Sequence, residues 1–362
     1  MQHYNIAVIP GDGIGSEVIP ASVEVLRVLE DTYGTFRIQT QTFDWGSQRY
    51  LQHGGMMPFD GLSILERAGL DAILLGPVGD LRVPDHVTLW GLLLPIRQGF
   101  DQYVNLRPMR LLPGIQTPLS GKGPRDIDMV CVRENVEGEY SGVGGRLRQN
   151  TPDEVAIQTT VFTRKGTERV IRYAFQCARQ QGRRKVTSAT KSNAMQFNMV
   201  FWDEVFRSVA AEFPDIAHEQ QLVDSLSARL VSKPETLDVI VASNLFGDIL
   251  TDLGAAVSGS MGIAPSANLN PERKYPSLFQ AIHGSAPDIA GKGVANPLAT
   301  IWSIQLMLNH LNETEAAKGL MSAIEQYAAG TYPKTADLGG RATTREVTAA
   351  LCEIVRSGRR NR

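Results

Sequence analysis

The chain has 362 residues, 43% of them hydrophobic and 20% charged, with a formal charge of −2. That length accommodates two domains or one large α/β domain. A charge so near zero gives no electrostatic case for nucleic acid or an anionic membrane as partner, and the short basic tail "RSGRRNR" reads as a solvated end. Three widely spaced cysteines, Cys131, Cys177 and Cys352, fit neither a disulfide framework nor a zinc spacing, which points to a reducing compartment. The opening "MQHYNIAVIPGDG" has no basic segment leading into an apolar one, and the longest apolar run, "LWGLLLPI", is too short to span a bilayer. A cytoplasmic protein without a membrane partner is expected.

In chain order, "YNIAVIP" predicts a buried strand, "GDGIG" breaks it, and "SEVIPASVEVLRVLE" carries apolar residues at helical spacing. The glycines invite a dinucleotide-binding reading, but Gly11 and Gly13 are followed by Ser16 where the third glycine of G-x-G-x-x-G belongs. A tight turn at a helix start is the simpler account. "LDAILLGPVG", "DIDMVCVREN", "KVTSATKSN" and "TLDVIVASNLFGD" repeat the pattern of apolar strand and polar end. The predicted class is α/β, in which functional residues collect where strands end.

Three arginines lie near such ends: Arg97 and Arg107 in "LLLPIRQGFDQYVNLRP", and Arg133 closing "DMVCVR". They fit either solvated loops or a clamp for carboxylates, since guanidinium is a planar, permanently charged fork. Lys191 ends "ATK", ahead of a helix predicted from "NAMQFNMVFWDEV". A cation at a helix N-terminus opposes the macrodipole, which lowers its pKa toward a proton-transfer role. Asp248 and Asp252 stand four residues apart after "VIVASN", so a helix would put both carboxylates on one face. Such a pair is either a solvated face or a cation site; with no histidine or cysteine nearby, the cation would be Mg²⁺ or Mn²⁺ rather than zinc. Asp224 in "QLVDSLSARL" could add a third carboxylate. "HGSAPDIAGKGVANP", from His283, is a glycine- and proline-rich loop whose small residues allow close backbone approach to a ligand.

Six of these segments, "IPGDGIGSEV", "IRQGFDQYVNLRP", "VRENVEGEYSG", "TKSN", "SNLFGDILTDLG" and "HGSAPDIAGKGVANP", occur in the order found in one family. The chain resembles the metal-dependent β-decarboxylating dehydrogenases of 2-hydroxy acids, which include isopropylmalate, isocitrate, homoisocitrate and tartrate/D-malate dehydrogenases. The resemblance covers nearly the whole chain. It implies the isopropylmalate dehydrogenase-like fold, not a Rossmann fold, with a discontinuous large cofactor-binding domain (1–102 and 259–362) and a small domain (103–258) bearing the dimer interface and metal and substrate residues.

Carried over by residue, the resemblance makes Arg97, Arg107 and Arg133 the substrate clamp and Tyr140 the acid that protonates the enol. Lys191 belongs to the base machinery, and Asp224, Asp248 and Asp252 hold Mg²⁺ or Mn²⁺. Lys191 and Asp224 come from a second subunit, which implies a homodimer with shared active sites. The stretch His283, Gly284, Ser285, Ala286, Pro287 and Asp288, together with Asn296, binds the adenosine of the cofactor. Asp288 stands where NADP-dependent relatives carry the lysine of a Lys-Tyr pair; its carboxylate accepts from ribose hydroxyls and repels a 2′-phosphate, so NAD is expected. K⁺ is a common activator of the tartrate/D-malate branch, which "WGLLL", "SATKSN" and "IAPSANLNPERKYPSLF" most resemble. A 2-hydroxy dicarboxylate substrate follows, with a broad-specificity 3-isopropylmalate dehydrogenase as the alternative.

Overall fold

The computed structural model describes residues 1–360; Asn361 and Arg362 of the basic tail, and the side chains of Arg359 and Arg360, lie outside the described residues. The chain forms two compact units. The first comprises Met1–Gln102, Arg110–Pro124 and Ala255–Arg362, and the second Tyr103–Met109 and Arg125–Gly254. Two stretches expected from the sequence to go with residues 103–258, Arg110–Pro124 and 255–258, instead group with the first unit. Arg110 pairs with Glu325 at 2.6 Å, and the Thr117 hydroxyl donates to the Val257 carbonyl at 2.6 Å.

In the first unit the strand order is Phe36–Thr42, Gln2–Ile9, Ala72–Leu75, Ser277–Ala281, Pro265–Leu269. The first four run parallel and the last is antiparallel, with Ile6 opposite Ala72 and Ile9 opposite Leu75. Ala72–Leu75 ("AILL") is buried at every position, the signature of a strand covered on both faces. Helix Leu298–His310 packs on the last two strands and is buried along almost its whole length, so its apolar residues show no single stripe. Helix Gly15–Tyr33 lies against it and against helix Thr344–Arg360, and stops at Gly34, whose left-handed backbone (φ 65°) lets its N–H cap the Glu30 carbonyl.

The "GDGIG" turn is a structural hub. Asp12 is buried and accepts from Ser47 N, Ser47 Oγ and Gly79 N at 2.7, 2.7 and 2.8 Å. Gly13 (φ 55°) lies so close to the later loop that a Cβ there would sit 2.0 Å from the Ser285 carbonyl oxygen, which also accepts from Ile14 N at 2.9 Å. The glycine-rich turn therefore seats the His283 loop against its own backbone.

In the second unit the order is Val104–Arg110, Asp128–Glu134, Val239–Ala242, Lys185–Thr190, Ala217–Leu222, the last four mutually parallel. Register places Ala242 beside Arg133, so the carboxyl ends of these strands share one edge and deliver Arg133, Lys191 and helix Asn244–Val257 to it. A separate antiparallel ribbon pairs Gly138–Leu147 with Val155–Val161. The helix expected directly after Lys191 begins only at Asn198, following a turn in which Ala194 and Met195 N–H bond back to the Lys191 carbonyl. The macrodipole falls off within one helical turn, so the dipole argument for Lys191 does not hold.

Candidate active site

Helix Asn244–Val257 does carry Asp248 and Asp252 on one face, as the spacing predicts. Its apolar side is Leu250, fully buried, whereas Ile249 is 54% exposed. What meets the acidic face is the pair Arg107 and Arg133, both buried. Asp248 Oδ1 accepts from Arg107 Nη1 at 3.2 Å and from Arg133 Nη1. Its other oxygen accepts from the Tyr140 hydroxyl at 3.0 Å, and the Tyr140 ring lies 5.5 Å from the Arg133 guanidinium.

Each arginine is held by neutral partners as well. Arg107 donates Nε to Asn105 Oδ1 at 2.6 Å and Nη1 to Thr251 Oγ1 at 2.6 Å. Arg133 donates Nη2 and Nε to Asn244 Oδ1 at 2.7 and 3.2 Å. Gly247 makes room for the Arg133 stem, because a Cβ at Gly247 would fall 2.5 Å from Arg133 Cγ. Burial, with Arg133 beside it, brings Arg107 down to about 10. The Asp252 carboxyl is pushed up by burial and by the charge of Asp248. Glu139 anchors the start of the helix: its carboxylate accepts from Ser243 Oγ at 2.8 Å and Leu245 N at 3.0 Å.

Lys191 and Asp224 form a second, more exposed pair, Nζ to Oδ1 at 2.7 Å, and the lysine holds the Asp224 carboxyl below its ordinary range. Among the described residues no three His, Cys, Asp or Glu side chains group as a metal site. Within one chain Asp224 pairs with Lys191, whereas Asp248 meets the two arginines. Arg97 is buried in helix Leu94–Gly99 of the first unit, whereas Arg107 and Arg133 belong to the second.

The first unit also holds a largely apolar pocket of about 320 Å³. His283, Gly284, Ala286 and Asn296 line it, as do Ile14, Met261, Gly262, Ile289, Val294, Ala336 and Asp337. Ser285, Pro287 and Asp288 of the same loop are not among its lining residues. Burial holds His283 below its usual range, and its Nδ1 faces the Gly284 carbonyl at 3.0 Å. Nε2 is then a bare acceptor, buried without a protein partner among the described residues. Asn296 donates to Asp337 Oδ2 at 2.9 Å, and that oxygen also accepts from Ser260 Oγ at 2.8 Å.

A profile of the family described as isocitrate/isopropylmalate dehydrogenase matches residues 5–351. The chain belongs to this family. A probable tartrate dehydrogenase/decarboxylase of Agrobacterium vitis is 55% identical over 356 residues, covering 98% of this chain and 97% of its own. The D-malate dehydrogenase (decarboxylating) of Escherichia coli K12 is 51% identical over 362 residues, covering 98% and 99%. The crystal structure of isocitrate dehydrogenase from Methylococcus capsulatus aligns with a TM-score of 0.86 at 35% identity, over 98% of this chain and 99% of that one. The α/β fold is thus that of the isocitrate dehydrogenase family, and the chain is an oxidoreductase of it. Among the described residues no helix is long and apolar enough to cross a membrane.

Sequence reasoning did not single out Asn105, Asn244, Gly247 and Thr251 around the arginines, nor Met261, Gly262, Ala336 and Asp337 around the pocket. Asn244 had a signal, a polar residue between an apolar strand and the helix. The pocket residues come from segments far from the His283 loop and had none.

Proposed function

We propose that this protein oxidises tartrate or D-malate with NAD⁺ and a divalent metal, D-malate giving pyruvate and CO₂. The observation that carries this reading is the cluster of Arg107, Arg133, Tyr140 and Asp248 beside Asp252. Two buried guanidinium groups suit a dicarboxylate, and a tyrosine hydroxyl held at 3.0 Å from a carboxylate suits proton delivery. The carboxylates also fit a hard cation: they are oxygen donors on one helix face, and Asp252 is raised by burial and then by the negative charge of Asp248, the second of which a divalent ion would relieve. Asp248 and Asp252 would hold Mg²⁺ or Mn²⁺, with Asp224 of a second subunit. The orphaned His283 Nε2 and the apolar pocket suit an adenine ring. The ion would supply Lewis-acid polarisation of substrate oxygens and NAD⁺ would accept the hydride.

In this reading Arg107 and Arg133, with Arg97, orient the diacid. Lys191 of the second subunit, paired with Asp224, belongs to the base machinery that removes the hydroxyl proton, directly or through a water, as hydride leaves C2. CO₂ departs from the resulting β-keto acid, and Tyr140 returns a proton to carbon. A homodimer is supported by apolar side chains left exposed on the second unit, among them Phe197 (82%), Leu147 (62%) and Ile249 (54%). Three buried free cysteines accord with the cytoplasm.

The test is to offer the purified protein, with Mn²⁺, K⁺ and NAD⁺, D-malate, the tartrates, 3-isopropylmalate and isocitrate, following NADH and CO₂. Turnover of D-malate or a tartrate, lost on chelation and restored by Mn²⁺, is expected. NADH from none of these acids would overturn the reading. A faster reaction with 3-isopropylmalate than with D-malate would overturn the choice of substrate.

A further inference from the structure

We infer that Glu134, acting through Asn244, is a positioning residue that sets the orientation of the Arg133 guanidinium. The inference rests on the substrate-binding role proposed for Arg133. An amide side chain has two ends of nearly equal shape and opposite polarity, so something must choose which end faces a cation. Asn244 turns Oδ1 to Arg133 and Nδ2 toward two acceptors, the Glu137 carbonyl at 3.2 Å and Glu134 Oε2 at 3.4 Å. Flipping the amide would set an NH₂ group against the guanidinium and an oxygen against both acceptors. Glu134 cannot yield, because the turn that follows it grips its carboxylate. Val136 N donates to Oε1 at 2.9 Å, and Glu137 N lies 3.1 Å from both oxygens.

Orientation thus passes from backbone N–H groups to Glu134, to the Asn244 amide, and to the Nε and Nη2 edge of Arg133. The Nη1 end of the guanidinium is the one that meets Asp248. None of this requires Glu134 or Asn244 to touch a ligand. Glu134 is fully buried, and burial pushes its carboxyl up to about 7. Its charge is therefore held at a cost above that pH, and a fold concerned only with stability would do as well with a neutral group.

Glu134→Gln is the informative substitution. The amide oxygen of Gln would keep the two backbone donors, leaving its NH₂ toward Asn244 Nδ2, so one of the two acceptors that lock Asn244 becomes a repelling donor, with little change of volume and with the Glu137 carbonyl still in place. At pH 8 the expected result is a KM for the diacid raised about tenfold, the loss of one charge-assisted contact, with kcat within about threefold and a Tm no lower than the parent's. Asn244→Ala should show the same split, more strongly. An unchanged KM, or a fall in Tm with kcat lowered as much as KM is raised, would overturn the inference. A second measurement needs no turnover: the ¹⁵N resonances of the Arg133 side chain should report restricted rotation about Nε–Cζ in the parent and freer rotation in both variants. Equal rotation in all three would overturn it, whereas a parent inactive on every diacid would count against the proposed function and leave this readout standing.

Discussion

Arg133 donates through Nη1 to Oδ1 of Asp248, so a guanidinium suited to a substrate carboxylate is neutralised by a carboxylate suited to a metal. Arg107 shares the same oxygen. A cation that draws Asp248 toward itself releases two arginines for the diacid, and a diacid that takes the arginines releases Asp248 for the cation. Linkage requires the two effects to be equal. Calorimetric titration of Mn²⁺ with and without D-malate should show affinity raised by about tenfold or more, with the same factor for D-malate in the presence of Mn²⁺. Independent binding would refute the coupling.

Gly247→Ala tests the packing behind that pair. The new methyl would fall 2.5 Å from Arg133 Cγ and 2.7 Å from its Cβ, so the arginine stem must move. Overpacking costs roughly 1–3 kcal/mol, against about 1 kcal/mol gained from helix propensity. The net is a loss of up to about 2 kcal/mol of stability, while KM for the diacid rises at least about tenfold if the clamp shifts. Steady-state kinetics beside a melting curve separates the two; an unchanged KM means that Arg133 relaxes without consequence.

Asp12→Ala addresses the hub beneath the His283 loop. Three donors would lose a buried acceptor, and stability should drop by about 3 kcal/mol or more. Urea unfolding monitors this, and a loss under about 1 kcal/mol would mean that water replaces the carboxylate.

Cofactor choice is checked at Asp288. Replacing Asp288 and Ile289 by Lys and Tyr removes the repulsive carboxylate and offers a cation to a 2′-phosphate. The ratio of kcat/KM for NADP⁺ over NAD⁺ should rise by about two orders of magnitude, the scale of a few kcal/mol of differential binding. No shift would remove Asp288 from cofactor discrimination.

His310 should contribute acid sensitivity. Burial lowers it from 6.5 to about 4, so the unfolded chain takes up a proton that the folded one refuses. Its contribution is complete above the unfolded value and is lost as pH falls from about 6.5 toward 4. His310→Leu should flatten that part of the stability profile by about 2 kcal/mol, read by urea midpoints at pH 4.5 and 7. An unaltered slope would locate the acid sensitivity elsewhere.

Much of the architecture was legible because parallel strands buried on both faces read as plain apolar runs, and Ala72–Leu75 and Val239–Ala242 are such runs. The aspartate pair was legible as a helix face because spacing alone sets it. Its partners were not: the contact between Arg107 and Asp248 spans 141 positions, and nothing local marks it. The start of the helix after Lys191 was misjudged because "SNAMQF" has helical composition, yet the chain first turns back on the Lys191 carbonyl. Domain membership of Arg110–Pro124 likewise depended on distant partners, Glu325 and Val257.

The mutual cancellation of Arg107 and Arg133 by Asp248 and Asp252 bears on how a ligand is caught. Two cations and two anions sum to nearly no charge, so this cluster projects little field beyond a Debye length and steers a dianion weakly from solution. Association of a dicarboxylate alone should then vary little with ionic strength. Adding a divalent cation gives the cluster a net positive charge, and salt dependence of the on-rate should emerge with it. The order in which ligands arrive would thus be written in electrostatics rather than in a moving gate.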